Sequence, residues 1–153
     1  IAVRAARAAG RVTMRYFDRV DTLKISNKSR NDFVTDVDRA AEVAIIQEIR
    51  GKFPQHAILA EESGAHGGND FEWVIDPLDG TKEFVAGRPE YTVNIALVEE
   101  GEPILGVIQV PVSGRLYLAA RGVAARRVDG GSETPLRPAA VDRPRLDEAV
   151  EAE

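Results

Sequence analysis

The sequence predicts an α+β domain, a layered α-β sandwich in which two N-terminal helices pack on a mostly antiparallel sheet. Two observations support this prediction. The segment before Pro54 places apolar side chains at helical spacing, whereas the segments after it are short apolar runs joined by glycine-containing turns. With 153 residues, the chain is long enough for one domain with a buried core.

Two helices are predicted before Pro54. In residues 1–18 the apolar side chains recur at roughly helical spacing between arginines: Val3, Ala6, Ala9, Val12, Met14 and Phe17. Residues 21–32 are polar and without a sustained period, so a loop is expected there. Thr35, with Asp38 three residues later, suits the N-cap of the second helix. The apolar stripe of that helix comprises Val37, Ala41, Ala44, Ile45, Ile49 and Phe53.

Five strand-like runs are predicted after Pro54, at residues 56–62, 71–76, 91–98, 102–110 and 115–120. The glycine-rich segment 63–70 is expected to form a mobile loop, a lid near the site described next. Residues 77–84 are typical of a turn that leads into a short helix. No firm element is predicted for residues 129–153, which are rich in proline, glycine and charge.

Composition excludes several classes of function. The chain has no cysteine, which rules out disulfides, zinc–thiolate sites and thiol nucleophiles and fits a cytoplasmic protein. The formal net charge of −5 provides no basic surface for nucleic acid, so no nucleic-acid partner is expected. No apolar run has membrane-spanning length and no signal peptide is visible, so no membrane partner is expected either.

The strongest local signal is the run from Asp76 to Thr81, Asp-Pro-Leu-Asp-Gly-Thr. A strand ends at Asp76, a turn brings Asp79 to the same side, and Gly80 lets the chain bend into a helix that begins at Thr81. Carboxylates suit Mg²⁺, and the backbone N–H groups at a helix start suit a phosphate. Glu61 also ends an apolar strand, so two strands are expected to deliver acidic groups at corresponding ends.

Purely structural or solvent-exposed roles stay open as alternatives for these residues. Asp76 and Asp79 are also typical of a capped turn, and Glu62 is typical of an ordinary solvated glutamate. His56 and His66 have no partner at ligand spacing, and no histidine is expected beside Ser63 to activate it as a nucleophile.

One other phosphatase class is disfavoured by the spacing. Phosphatases of the haloacid-dehalogenase type end a strand in Asp-x-Asp-Gly-Thr, and the first of those aspartates is the nucleophile. The corresponding position here is Pro77, which has no nucleophilic group. The sequence therefore favours metal-activated water over an aspartyl-phosphate intermediate.

Three motifs in order, NDFVTDVDRAAE, AILAEESG and WVIDPLDGT, make the chain resemble the inositol monophosphatase family of metal-dependent, lithium-sensitive phosphatases. The resemblance covers residues 1–128. It implies that Mg²⁺ is bound by Glu61, Asp76, Asp79 and the Leu78 carbonyl, with Asp38 as a further metal contact. The alternative role of Asp38 is to complement the charge of the first turn of its helix.

The resemblance also implies how the reaction proceeds. Gly80 and Thr81 cradle the phosphate, and Thr81 and Glu61, together with Asp79 at the metal, activate the attacking water. The substrate is a small phosphorylated metabolite, the fold is the layered sandwich of this family, and the assembly is expected to be a homodimer. Residues 1–128 then form the metal- and phosphate-binding domain, and residues 129–153 are a tail or the start of a truncated C-terminal domain.

The continuation after Thr81 departs from the bacterial inositol-1-monophosphatases, which usually read Thr-Asn-Phe there. Lys82, Glu83 and Phe84, with the segments EYTVNIALVEEGEPILGVIQVP and GRLYLAARG, resemble 3′(2′),5′-bisphosphate nucleotidases instead. Lys82 is therefore a candidate for holding a second phosphate. Inositol monophosphate is the expected substrate, and adenosine 3′,5′-bisphosphate is the alternative.

A later family motif of the form WDxAAG, which carries another metal-binding aspartate, is absent, since the only tryptophan is Trp73. The chain also begins at Ile1 rather than Met, and a missing C-terminal domain is expected. Because a metal-binding aspartate is missing, this chain alone is expected to have weak or no activity. Two rival hypotheses are a non-catalytic module that binds a metal or an anion, and a folding fragment with exposed apolar sheet surface that aggregates.

Overall fold

The computed structural model describes residues 1–20 and 27–137, with the backbone alone described at residues 20 and 27–35. The helices are α1 (Ala2–Val20), α2 (Asn27–Arg50) and α3 (Thr81–Val85). The strands are β1 (His56–Ala60), β2 (Gly64–His66), β3 (Asn69–Asp79), β4 (Thr92–Glu99), β5 (Glu102–Val110), β6 (Arg115–Ala120), β7 (Val123–Asp129) and β8 (Ser132–Pro135). None of the described helices is long and apolar enough to cross a membrane.

The described strands form one eight-stranded sheet in the order β2-β1-β3-β4-β5-β6-β7-β8. Strand β1 pairs in parallel with β3, and every other described pairing is antiparallel. The parallel connection from β1 to β3 is made through the short edge strand β2. Helices α1 and α2 pack against each other and onto one face of this sheet, which confirms the predicted α+β architecture.

The main core lies between the two long helices and the sheet. Helix α1 contributes small side chains, with Ala5, Ala6 and Ala9 all 0% exposed, so its backbone approaches the sheet closely. Larger apolar side chains from α2 and the strands fill the remaining space: Ile45, Ile49, Ile58, Trp73, Ile75, Val93 and Ile95. Each large apolar side chain buried here stabilises the fold by roughly 1.5–3 kcal/mol.

A second, smaller core supports the turn between β3 and α3. Its buried members are Val37, Leu78, Phe84 and Tyr91, and α1 packs Met14, Tyr16 and Phe17 against them. The rings of Phe84 and Tyr91 meet edge to face, with centroids 5.2 Å apart. This cluster ties α1 and α2 to the segment that follows the acidic end of β3.

The opposite face of the sheet carries apolar side chains that remain in contact with solvent. Because successive strand residues point to opposite faces, the neighbours of buried core residues project here. Leu59 is 42% exposed, Val74 is 37% exposed and Ile108 is 43% exposed. This face provides the exposed apolar sheet surface that the folding-fragment hypothesis requires.

Several predicted element boundaries were wrong. Helix α2 begins at Asn27, eight residues before Thr35, so Thr35 is inside the helix and is not its N-cap. The segment 63–70 is not a simple loop, because Gly64–His66 pairs with β1 and β3 begins at Asn69. Strands β7 and β8 were not predicted, since their sequences are polar and lack a clear alternation.

Some expectations concern parts of the chain that the structure does not describe. Residues 21–26 of the predicted loop and residues 138–153 of the predicted tail lie outside the described ranges. The domain boundary at residue 128 stays a prediction, and the sheet itself continues through Pro135.

His56 is part of an aromatic stack at the start of β1. Its ring is nearly parallel to Phe53 and Phe71, with centroids 4.6 Å and 5.0 Å away, and its Nδ1 accepts a hydrogen bond from Trp73 Nε1 at 3.1 Å. Burial and the nearby Arg50 charge lower the pKa of His56 from its usual 6.5. The neutral imidazole is therefore the form that the fold favours, and a ligand role is not supported by these contacts.

We predict that acid destabilises the protein through His56. Because the folded-state pKa lies below 6.5, the stabilisation is complete above that pH and is lost as the pH falls below it. The variant His56→Gln keeps an acceptor for Trp73 without a titrating ring, so its melting temperature should fall less between pH 7 and pH 5. His66→Gln, which leaves the stack intact, should retain the wild-type profile. Identical profiles for all three proteins would contradict this assignment.

Candidate metal and phosphate site

The parallel register of β1 and β3 brings two acidic strand ends together. Ala60 pairs with Ile75, so the next residues, Glu61 and Asp76, lie side by side. The ladder continues for one more hydrogen bond, from the Glu61 N–H to the Ile75 carbonyl at 3.2 Å. The carboxyl groups of Glu61 and Asp76 are within hydrogen-bonding reach of each other. The predicted meeting of the two acidic strand ends is thus present in the fold.

The turn after Asp76 is held by its own short-range hydrogen bonds. Asp76 Oδ1 accepts a bond from the Leu78 N–H at 3.1 Å, and the Leu78 carbonyl accepts one from Thr81 Oγ1 at 3.2 Å. Leu78 is only 2% exposed, so its side chain anchors the turn in the smaller core. Asp79 is exposed, and its Oδ2 accepts a bond from Asn94 Nδ2 at 3.1 Å.

Gly80 is required where the chain bends into α3. Its φ is +99°, a conformation that side chains disfavour. A Cβ at this position would also lie 2.9 Å from the Glu90 carbonyl oxygen and 3.1 Å from Tyr91. The tight approach of these two segments keeps the turn in place beside β4.

We expect Gly80→Ala to destabilise the protein by about 2–4 kcal/mol, from backbone strain and from the collision with Glu90. Gly101→Ala is the matched control, because Gly101 also has a positive φ of +83° but has open space around the added Cβ. That control should cost only about 1 kcal/mol. Denaturant unfolding of both variants measures the difference, and equal losses would mean that the close approach at Gly80 contributes nothing.

Helix α2 adds two buried carboxylates to the site. Asp38 is 8% exposed and Glu42 is 2% exposed, and they lie one helical turn apart. Glu42 Oε2 accepts a hydrogen bond from the Glu62 N–H at 2.8 Å. Burial, followed by the charges of Glu62, Glu61, Asp76 and Glu42, raises the pKa of Asp38 from 3.8 to about 7. Because α2 begins at Asn27, Asp38 is not in a first turn, and that alternative role is wrong.

The same crowding affects the strand ends. Burial, followed by the charge of Asp76, raises the pKa of Glu61. Burial and the charge of Asp79 raise the pKa of Asp76, although its hydrogen bonds with Glu61 and the Leu78 N–H act in the opposite direction. Carboxylates held at this spacing repel one another when ionised, which is the electrostatic setting that a divalent cation relieves.

The available donors fit Mg²⁺ by their chemistry. They are hard oxygens: the carboxylates of Glu61, Asp76, Asp79 and Asp38, and the carbonyl of Leu78. Within residues 1–20 and 27–137, no three acidic or histidine side chains already converge closely enough to hold a metal ion. The backbone therefore assembles the donors, and cation binding requires their side chains to turn inward.

The remaining predicted site residues have simpler surroundings. Lys82 and Thr81 are exposed on α3. Glu62, expected to be solvated, is partly buried and faces Arg39 at 3.7 Å. The expectation for Ser63 was wrong in one respect, because the hairpin from β1 to β2 places His66 Nε2 2.7 Å from Ser63 Oγ.

Sequence reasoning missed two residues that contact the site. Glu42 was overlooked because it adjoins the apolar stripe of α2, yet its spacing of four residues from Asp38 is a signal that could have identified it. Asn94 lies in the middle of an apolar strand, and its role depends on the register that pairs it with Asp76 across β3 and β4. No local pattern indicates that register.

We predict that Asp38→Asn stabilises the metal-free protein. Since the folded-state pKa of about 7 exceeds 3.8, ionised Asp38 destabilises the fold increasingly as the pH rises from about 4 to 7. The variant should gain about 2 kcal/mol at pH 8 in EDTA, after allowance for solvent screening, and much less at pH 5. Asp36→Asn, at an exposed position on the same helix, is the control. A destabilised Asp38→Asn variant at pH 8 would refute the crowding argument.

Comparisons with known proteins agree with this architecture. The sequence profile of the inositol monophosphatase family matches residues 1–152. The protein named Nus factor SuhB from Pasteurella multocida is 48% identical over 128 residues, which are 82% of this chain and 48% of that protein. The protein of the same name from Escherichia coli (strain K12) is 45% identical over 128 residues, which are again 82% of this chain and 48% of that protein.

Solved structures show the same likeness. Inositol monophosphatase from Anabaena (Nostoc) sp. PCC 7120 superposes with a TM-score of 0.70 at 40% identity, covering 82% of this chain and 44% of that one. CysQ from Bacteroides thetaiotaomicron, described as a bacterial member of the inositol monophosphatase family, superposes with a TM-score of 0.71 at 38% identity, covering 84% and 48%. The chain belongs to the inositol monophosphatase family, and it spans about half the length of the curated relatives it matches.

Proposed function

We propose that this chain carries the metal- and phosphate-binding part of a Mg²⁺-dependent phosphomonoesterase that hydrolyses a small phosphorylated metabolite. The supporting observation is the parallel pairing of β1 with β3, which places Glu61 beside Asp76 at the C-terminal ends of the two strands. Asp79, in the turn that follows, is close enough for its charge to act on Glu61. Residues 1–128 supply this site in the proposal. A cytoplasmic location, lithium sensitivity and a homodimer, all expected from sequence, stay predictions.

The proposed cation ligands are Glu61, Asp76, Asp79 and the Leu78 carbonyl, with Asp38 as a further contact from α2. Bound Mg²⁺ would supply an acidic, activated water and would stabilise negative charge on the departing oxygen. The chain's own residues then position the reactants. Asp76 is already fixed by the Leu78 N–H, and Asp79 is oriented by Asn94.

Thr81 and Glu61 are proposed to handle the attacking water. The Thr81 hydroxyl donates a hydrogen bond to the Leu78 carbonyl. The lone pairs of its oxygen are therefore free to accept a hydrogen bond from a water molecule. Glu61 carries a carboxylate that can accept the proton from that water. Gly80 and Thr81 provide backbone N–H groups for the phosphate, but α3 has only five residues and a small dipole, so the cations must offset most of the phosphate charge.

Inositol monophosphate is the proposed substrate, supported by the motifs through Thr81 and by the similarity to the Anabaena inositol monophosphatase. Adenosine 3′,5′-bisphosphate is the alternative, supported by Lys82 and the segment that follows it. The exposed side chain of Lys82 on α3 is free of steric obstruction from the core and is proposed to meet a second phosphate.

A non-catalytic module that binds a metal or an anion is the second candidate function. One observation favours it: the acidic side chains of the described residues do not converge around one point. In this case cation binding occurs without turnover. Hydrolysis and cation binding therefore have to be measured separately.

We expect slow Mg²⁺-dependent phosphate release from inositol 1-phosphate, in line with the weak activity expected of this chain alone. Asp79→Asn should abolish this release, because a proposed ligand to the cation loses its charge. Asp70→Asn, an exposed position at the other end of β3, is the matched control and should retain wild-type activity. Adenosine 3′,5′-bisphosphate is assayed in parallel to decide the substrate.

Thermal melting with and without Mg²⁺ completes the experiment, because a ligand that binds the folded state raises the melting temperature. A Mg²⁺-dependent rise that Asp79→Asn abolishes, without phosphate release, would support the non-catalytic module. No rise and no release from folded protein would contradict both functions.

A further inference from the structure

A groove on the helix-covered side of the molecule is separate from the acidic site. It lies between α1 and the ends of β5 and β6, has a volume of about 350 Å³, and is lined by Arg7, Gly10, Arg11, Met14, Gln109, Pro111 and Gly114. None of these residues is a candidate metal ligand, and none is acidic. The groove therefore has a positive lining in a protein whose net charge is −5.

The positive charge comes from two arginines on one face of α1. Arg7 and Arg11 are four residues apart, so their side chains lie next to each other along the helix. Both are exposed, and neither forms an ion pair with a carboxylate in the part of the chain that the structure describes. Adjacent unpaired guanidinium groups repel each other, and an oxyanion that accepts hydrogen bonds from both relieves the repulsion.

The floor of the groove contains the buried amide of Gln109, whose oxygen lacks a hydrogen-bond partner among the residues that the structure describes. Gln109 is 6% exposed, and its Oε1 makes no hydrogen bond within the described residues. Its neighbours on the helix-facing side of the sheet, such as Val93 and Val107, are apolar, so this polar side chain is not explained by packing. A buried acceptor without a donor is costly, and a ligand hydroxyl can supply the missing hydrogen once the amide rotates toward the groove.

Gly10 makes room for this amide. A Cβ at position 10 would lie 2.8 Å from Gln109 Nε2 and 2.9 Å from Oε1, so a side chain there would displace the amide. Glycine in the middle of a helix is otherwise less favourable than alanine. Its position opposite Gln109 keeps the floor of the groove open.

We propose that this groove is a second binding site, independent of the acidic site, for a phosphorylated sugar or polyol. The phosphate binds between Arg7 and Arg11, and a hydroxyl of the same molecule donates a hydrogen bond to Gln109 Oε1. A volume of about 350 Å³ accommodates a phosphate together with a sugar ring. Binding requires no divalent cation, which distinguishes it from the function proposed above.

The test is a calorimetric titration of the purified chain with glucose 6-phosphate in EDTA, so that cation-dependent binding at the acidic site is absent. Inorganic phosphate and glucose serve as comparison ligands. We expect saturable binding of glucose 6-phosphate, at least threefold weaker binding of inorganic phosphate, and no binding of glucose. Equal affinities for glucose 6-phosphate and inorganic phosphate would overturn the role of Gln109.

Substitutions then locate the binding. The double variant Arg7→Gln and Arg11→Gln should weaken glucose 6-phosphate binding at least tenfold, whereas Arg4→Gln removes one charge from the same helix outside the groove and should change it less than twofold. Gln109→Leu should reduce the preference for glucose 6-phosphate over inorganic phosphate. If Gln109→Leu fails to fold, Gly10→Ala replaces it, because the added Cβ displaces the Gln109 amide. It should likewise reduce the preference for glucose 6-phosphate over inorganic phosphate.

Two further results would overturn the proposal as a whole. One is the absence of glucose 6-phosphate binding in EDTA by folded wild-type protein. The other is binding that the arginine double variant leaves unchanged, which would place the ligand elsewhere. Phosphatase activity is not used as a readout, so the failure of this proposal and the failure of the proposed function are distinguishable.

Discussion

The parallel pairing of β1 with β3 is the constraint on which the acidic site depends. In an antiparallel pair the C-terminal end of one strand lies beside the N-terminal end of the other, so Glu61 would be a strand length away from Asp76. The parallel register instead aligns Ala60 with Ile75 and leaves the following acidic residues adjacent. Strand β2 supports this arrangement, because it returns the chain along the outer edge of β1 so that β3 can start in parallel.

Holding these carboxylates together opposes folding, and the surrounding packing offsets the cost. The pKa of Asp38 is raised to about 7, which shows how unfavourable its ionised form is in the metal-free fold. The small core around Leu78, Phe84 and Tyr91 fixes the turn from one side, and the backbone hydrogen bond to Glu42 fixes the end of β1 from the other. Like charges held close together lower the stability of the fold, and the same negative charge attracts a cation.

Much of the fold was predictable because its signals are local. Helical spacing identified both long helices, and alternating apolar runs identified β1 and β3 to β6. The errors arose where local signals are weak or misleading. Thr35 has the composition of a cap but lies inside α2, because the helix begins eight residues earlier, at Asn27. Strands β7 and β8 have little apolar alternation. They extend the sheet because β7 pairs with the free edge of β6 and β8 then pairs with the free edge of β7.

The sequence by itself determined the chemistry of the turn, because Asp76 through Thr81 interact over only a few residues and their geometry follows from local backbone preferences. It also determined that cysteine chemistry is absent. Only the tertiary structure decided which distant groups join that turn: Glu42 from α2, Asn94 from β4, and, at the other site, Gln109 opposite Gly10. These partners are set by strand register and by helix-on-sheet packing, which depend on contacts across the whole domain and leave no pattern in any short stretch of the chain.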